Sequence, residues 1–183
     1  MNYYIENNGK IVLFDTDRGR LEGTLGFMPQ YEGAEVQETE REIVYRGESF
    51  EFADEIAQEL LSDAKAARLA ENRAAYEAAL KSGVVYKDVL FDCDTLAAVR
   101  VMGQMVAAQT MAIEEEPSIE WFDYDYKPVT LTVEEFMELA GLITLNTRRI
   151  ETLNCGFNTA IQAAASKEEL EAVEIDYTES ENG

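Results

Sequence analysis

From Asp54 to Lys81 the chain contains neither Gly nor Pro, is rich in Ala, and intersperses Leu with Glu, Lys and Arg. Such a run is driven to helix by propensity alone, because Ala and the unbranched side chains lose the least conformational freedom there. At ~1.5 Å per residue it would reach about 40 Å. Its larger apolar residues, Ile56, Leu60, Leu61, Leu69, Tyr76 and Leu80, hold no single clean stripe. The segment therefore reads as a connector helix over residues 53–83, and its small Ala flank would also let it pack closely with copies of itself. A homo-oligomer through residues 54–81 is the partner expectation attached to it.

On its N-terminal side, residues 1–52 read as a β-rich module. Tyr3–Ile5, Lys10–Phe14, Glu42–Arg46 and Ser49–Phe52 are short alternations separated by turn formers. Asn8-Gly9 is a strong tight-turn signal that makes residues 3–14 a hairpin, and Arg46-Gly47-Glu48 suggests a second one. Between them, Gly19 to Gly33 carries four Gly and Pro29, which predicts a surface loop with little regular structure.

On the C-terminal side, Val84–Phe91 is β-prone and Asp92-Cys93-Asp94 reads as a helix start. From Leu96 the positions Val99, Gly103, Val106, Thr110 and Ile113 recur at helical spacing, and that helix is expected to end at Glu114–Glu116 and Pro117. Next comes IEWFDYDYKPVTLT, Ile119–Thr132, with the chain's single Trp. Aromatics alternate with acids through Trp121, Phe122, Asp123, Tyr124, Asp125 and Tyr126, and the strand is expected to turn at Lys127-Pro128 into Val129-Thr130-Leu131. Thr132 to Glu135 fits a capping box. The helix behind it carries Phe136, Leu139, Ala140, Ile143, Ile150, Leu153, Phe157 and Ile161 on one side. Ser166 to Glu169 is a second box, opening a short helix to Val173, and a polar tail follows from Thr178. The expected fold is α+β: a small antiparallel β module, a connector helix, a mainly helical domain with a β-hairpin over 84–177, and a flexible tail over 178–183.

The charge balance narrows function more than it narrows fold. Fifteen Lys and Arg face 37 Asp and Glu, a formal charge of −22, and there is no His. Direct nucleic-acid binding is disfavoured, because phosphate affinity needs clustered cations that release counterions. Without His, the commonest neutral-pH acid/base and transition-metal ligand is missing, so neither an enzyme nor a metal or other cofactor is expected. Cys93 and Cys155 are too few for a disulfide framework and are read as reduced thiols in a cytosolic setting, with no basic cluster to activate either. The N-terminus lacks the basic and apolar regions of a signal peptide and no apolar run approaches ~18 residues, so no membrane partner is expected.

Two motifs invite chemistry. Phe14-Asp15-Thr16-Asp17 and Phe91-Asp92-Cys93-Asp94 both set Asp-x-Asp after an apolar run, resembling the nucleophile motif of haloacid-dehalogenase-type phosphatases. Those enzymes carry it on a parallel strand, whereas the first copy here lies in a hairpin-like region and the second directly precedes a helix. The plainer reading makes Asp17 or Asp94 a strand terminator or helix cap. The aromatic strip is the other motif: Trp121 is expected in the core, leaving Phe122, Tyr124 and Tyr126 on the other face as contact anchors, with Pro128 at the turn.

Val85-Tyr86, Phe91, Asp94, Ile119-Glu120-Trp121, Asp125, Val129–Thr132 and Glu135, closing with Ala163–Ala172, carry a family resemblance. Over about Val84 to Ile175 the chain resembles a small domain of unknown function found at the C-terminal end of many bacteriophage tail and tail-fibre-assembly-like proteins. Its turn, Tyr124 to Pro128, is bulkier than such domains usually have. The resemblance implies a non-enzymatic tail-region protein, a fibre assembly factor or minor virion subunit, with phage tail or fibre proteins as partners. Its location would be the host cytoplasm during assembly, or the virion. The charge suggests a rival of another class, an acidic DNA-mimic inhibitor of a host nucleic-acid-binding protein.

Overall fold

The computed structural model describes residues 1–47, 49–111 and 118–178, and the chain divides into two compact units, Met1–Ala64 and Lys65–Gly183. The first contains β1 (Asn2–Asn7), β2 (Lys10–Asp15), α1 (Arg18–Leu25), a 3-10 turn at Pro29–Tyr31, β3 (Gln37–Thr39), β4 (Ile43–Tyr45), β5 (Phe50–Phe52) and the start of α2 (Ala53–Lys81). Its strands form one antiparallel sheet in the order β3-β1-β2-β5-β4. Asn8 and Gly9 hold φ of 54° and 76°, the two left-handed residues that a tight two-residue hairpin needs. Ile5, Ile11, Leu21 and Ile43 are the buried apolar residues of this unit. The Arg41 guanidinium lies 3.6 Å over the Phe52 ring and reaches Asp54 and Glu55 at 2.7 Å each, tying the sheet to the first turn of α2. Those bonds raise the Arg41 pKa and lower that of Asp54.

The loop expected over Gly19–Gly33 is in its first part a helix. Asp17 caps α1 by accepting from the Arg20 N–H at 3.0 Å, and Leu21, only 2% exposed, anchors the helix. A cap and one buried anchor offset the ~1 kcal/mol by which each glycine weakens a helix, so composition alone misleads here.

The second unit takes up the rest of α2 and adds β6 (Val84–Tyr86), β7 (Val89–Phe91), α3 (Thr95–Met111), β8 (Ser118–Phe122), β9 (Pro128–Thr132), α4 (Val133–Ala163) and α5 (Lys167–Glu171). Strands β6–β7 and β8–β9 are two antiparallel hairpins. The first turns on Lys87 and Asp88, at φ 49° and 63° without any glycine. Its glycine stands at the entrance instead: Gly83 has φ 75°, and a Cβ there would lie 2.5 Å from the Phe91 carbonyl oxygen. Only glycine lets α2 pass this closely into the hairpin.

Helix α4 organises the interior. Thr132 and Glu135 close the expected capping box. Behind it Phe136, Leu139, Ala140 and Ile143 pack with Phe91, Cys93, Val101, Ile119 and Leu131 in one apolar core. Burying a side chain such as Phe136 contributes about 1.5–3 kcal/mol. Further along, Ile150, Leu153 and Phe157 meet Ala75, Tyr76, Ala79 and Leu80 of α2, together with Tyr177. The helix read as a connector over 53–83 thus gives its C-terminal half to this unit, whose boundary falls between Ala64 and Lys65. There the space between α2 and α4 is filled by large side chains, Tyr76, Leu80, Leu153, Phe157 and Tyr177, with Ala75 and Ala79 packed beside them.

At the end of the chain, Ser166 caps α5 by accepting from Glu169, whose own carboxylate reaches back to the Ala165 N–H at 2.6 Å. The helix stops at Glu171, short of the expected Val173. A strap then runs to Thr178, held by Arg68 on the Val173 carbonyl and by Arg149 on the carbonyls of Tyr177 and Thr178.

Helix α3 differs from expectation in its inward face. Ala97, Val101 and Met105 pack into the core, while Leu96, Val99 and Val106 from the periodic stripe are 55–67% exposed. Apolar residues spread round most of this helix, with Arg100 and Gln104 as interruptions, so spacing has no means of choosing its inner face. The helix end expected at Glu114–Glu116 and Pro117, and the tail over 179–183, lie outside the described residues.

Candidate functional site

Along β8 the side chains alternate as a strand requires, with Ile119 buried and Trp121 half-buried toward the core and Glu120 and Phe122 turned outward. Trp121 meets the Phe136 ring edge-on at 5.2 Å between centroids. The turn comes earlier than the sequence suggests. The Asp123 carboxylate accepts from the N–H of Asp125 at 2.9 Å and of Lys127 at 2.8 Å, while the Asp123 N–H donates to the Lys127 carbonyl at 3.0 Å. Pro128 consequently opens β9 opposite Phe122 rather than making the turn, at a strand's first position where a missing N–H is tolerated.

The four residues singled out from sequence therefore fall into two sets. Phe122 and Pro128 are cross-strand partners, and Tyr124 and Tyr126 sit in the Asp123 loop. Tyr124 is 42% exposed yet pinned at both ends: its N–H donates to the Leu90 carbonyl at 2.9 Å and its hydroxyl to the Lys81 carbonyl at 2.9 Å. Tyr126 holds φ 61° and is 74% exposed. A hydrogen-bonded loop thus presents large aromatic surface without the freedom of an ordinary loop.

Phe122, Tyr124 and Tyr126 line an open groove of about 670 Å³ between this hairpin and α3; Pro128 does not. Trp121 lies along it, and α3 contributes Ala97, Arg100, Gly103 and Gln104. Among the described lining residues Arg100 is the sole cation, against three acids, Asp92, Glu120 and Asp123. Beside the groove α3 turns Leu96, Val99, Met102 and Val106 outward, all more than half exposed. Sequence reasoning gave Arg100 no role, and read Leu96, Val99, Gly103 and Val106 as one helical stripe without assigning it to a site. One signal was available: from Thr95 to Ile113 a chain of charge −22 carries no acid at all.

Both Asp-x-Asp motifs serve as strand-to-helix punctuation. The first Asp accepts from the N–H of the second, Asp15 from Asp17 at 2.9 Å and Asp92 from Asp94 at 3.1 Å. The second Asp then caps the helix, Asp17 from Arg20 and Asp94 from Ala97 at 2.7 Å. Cys93, between the latter two, is fully buried, donates to the Leu80 carbonyl at 3.2 Å and accepts from Asn146 at 3.3 Å. Burial pushes its pKa up, so it stays a thiol. Cys155 is exposed. Among the described residues there is no cluster of three or more acids or cysteines placed to hold a metal ion, and no helix is long and apolar enough to cross a membrane.

No curated protein and no solved structure matches the chain. A family model does, and it begins at Asp63, within α2 and two residues ahead of the second compact unit, and runs to Thr178, the end of the strap. Over residues 63–178, more than half its length, the chain belongs to the family described as a domain of unknown function, DUF4376.

Proposed function

We propose that this protein is a non-enzymatic, protein-binding component of a bacteriophage tail region, either a tail-fibre assembly factor or a minor virion subunit. The observation that carries the reading is the groove, where Phe122 at the end of β8 and Tyr124 and Tyr126 in the hydrogen-bonded loop after it stand exposed, beside an apolar helix face with no partner among the described residues. Monomers rarely leave such surface contiguous and uncovered unless something binds it. The phage setting comes from the sequence resemblance of the Trp121 hairpin, its V-x-L-T strand and the capped helices.

Affinity capture of the tagged full chain from phage-producing cells, with mass spectrometry of purified particles, tests this. A fibre assembly factor copurifies with a fibre or tail protein and is absent from finished particles, whereas a structural subunit remains in them. Presence in neither pool sinks the proposal. Capture of a basic, nucleic-acid-binding host protein that is released by salt would instead favour the DNA-mimic reading, for which the charge of −22 is the support.

A further inference from the structure

We infer that the groove between α3 and the β8–β9 hairpin receives a cationic amphipathic segment of a partner protein, with apolar side chains against Trp121 and Gly103 and flanking Lys or Arg over Glu120 and Asp123. This rests on the groove being a protein-binding surface and adds the chemistry of what it binds.

Charge complementarity selects the occupant. The floor is aromatic and apolar, while its polar lining is three carboxylates against the single Arg100. A wholly apolar segment would leave those carboxylates partly desolvated without partners, and an acidic one would meet like charge. Cations flanking an apolar anchor satisfy both parts of the lining. The wider field points the same way, since a chain of −22 attracts basic segments and repels a second copy carrying another −22.

Shape favours a helix or a short extended run. Gly103 lines the groove and is the i+4 neighbour of Val99 and the i−3 neighbour of Val106 on α3, so the groove continues onto the outward apolar stripe. The missing side chain at Gly103 is what leaves room, since a Cβ there would meet nothing within 4 Å. That is the geometry of a helix-in-groove contact, read through spaced apolar anchors.

Trp121 is the chain's single Trp and lies along the groove, so its fluorescence reports occupancy. The full chain is titrated with three synthetic peptides: an amphipathic helix of Leu and Lys, the same helix with Glu for Lys, and a Leu/Lys peptide of scrambled order. The first is expected to shift Trp121 emission saturably, more weakly at high salt, and the other two are not. Gly103→Leu puts a side chain into the groove lining, starting from a Cβ that meets nothing within 4 Å, and should lower affinity about tenfold or more, with unfolding temperature maintained or raised. Glu120→Lys should also weaken binding about tenfold, whereas the same charge change at Glu151, exposed on α4 and outside the groove lining, should change it about threefold or less. The inference is overturned if the Glu peptide binds as well, if Gly103→Leu binds like wild type, or if Glu151→Lys weakens binding as much as Glu120→Lys. Should no peptide bind while the full chain still captures tail proteins, the cationic partner is wrong and the proposed function stands. Should capture fail as well, both fall.

Discussion

Around Phe136 and Ile143 the interior of the second unit is packed hydrocarbon apart from the Cys93 thiol, whereas around Ile150 and Tyr177 it is threaded by four polar side chains. Asn72, fully buried on α2, donates to the side-chain oxygens of Asn154 at 2.9 Å and Asn158 at 3.0 Å and accepts from the Tyr177 hydroxyl at 2.8 Å. Asn154 and Asn158 stand one turn apart on α4, and Tyr177 arrives from the strap with Phe157 edge-on to its ring at 5.3 Å. The two regions hold α4 by different means. Apolar packing gives more free energy but accepts neighbouring arrangements of similar volume, whereas the amide cluster is satisfied in only one register of α2 on α4. A registry role is the best attested use of buried polar groups, and here it also docks the end of the chain.

The largest effect should come from the hydrocarbon side. Phe136→Ala removes a fully buried ring that Trp121 packs against, and should cost about 3–5 kcal/mol, read by denaturant unfolding. A loss under about 1 kcal/mol would mean the core is looser than its burial implies. Leu139→Met conserves volume and should cost less than about 1.5 kcal/mol.

The polar seam should not show that tolerance. Asn72→Leu keeps roughly the volume, yet leaves Asn154, Asn158 and Tyr177 to find other partners inside the protein, so it should cost about as much as Asn72→Ala, about 1–3 kcal/mol. Tyr177→Phe alone removes one hydroxyl and should cost about 1 kcal/mol. Since these groups share hydrogen bonds, Asn72→Ala and Tyr177→Phe together should fall short of additivity by 0.5 kcal/mol or more. Strict additivity would mean the amides and the strap are independent, and the comparison would lose its basis.

How much of this was legible depends on whether the signal is local. The α4 stripe from Phe136 to Ile161 could be read because large apolar residues recur along it at helical spacing, although Met137, Leu142 and Leu145 lie exposed off it, and Asn8-Gly9 and the Thr132 box because turn and cap chemistry needs only adjacent residues. The Phe122 and Tyr124–Tyr126 strip could be read as aromatic surface, but the position of the turn could not, since it depends on which backbone donors Asp123 captures. Arg100 and Gly103 lie in an acid-free stretch, but became part of a site only when α3 was placed beside β8. Asn72 is one polar residue in an Ala-rich helix, and its partners are 82 and 86 residues away along the chain. Spacing is silent about α3, whose apolar residues spread round most of the helix.

The smallest effect separates the regions by pH. Glu135 sits at the rim of the hydrocarbon core, one carboxylate oxygen accepting from the Thr132 N–H at 2.8 Å and the other paired with Lys87 of the β6–β7 turn. The Lys87 bond first, then the backbone donor, lower its pKa. A carboxyl whose folded pKa is depressed stabilises the fold above its unfolded value of about 4.3, and that stabilisation is lost as pH falls through the folded pKa. Glu135→Gln keeps an acceptor for Thr132 but not the charge facing Lys87. Its unfolding temperature should lie slightly below wild type at neutral pH and converge with it in acid. The seam holds only amides, which do not titrate, and Tyr177, whose pKa burial raises further. Asn72→Ala should therefore show one offset at every pH from the carboxylate range up to the tyrosine range near 10. An Asn72→Ala offset that vanished in acid along with that of Glu135→Gln would show that the two regions unfold through one shared electrostatic contact, not as separately held parts of α4.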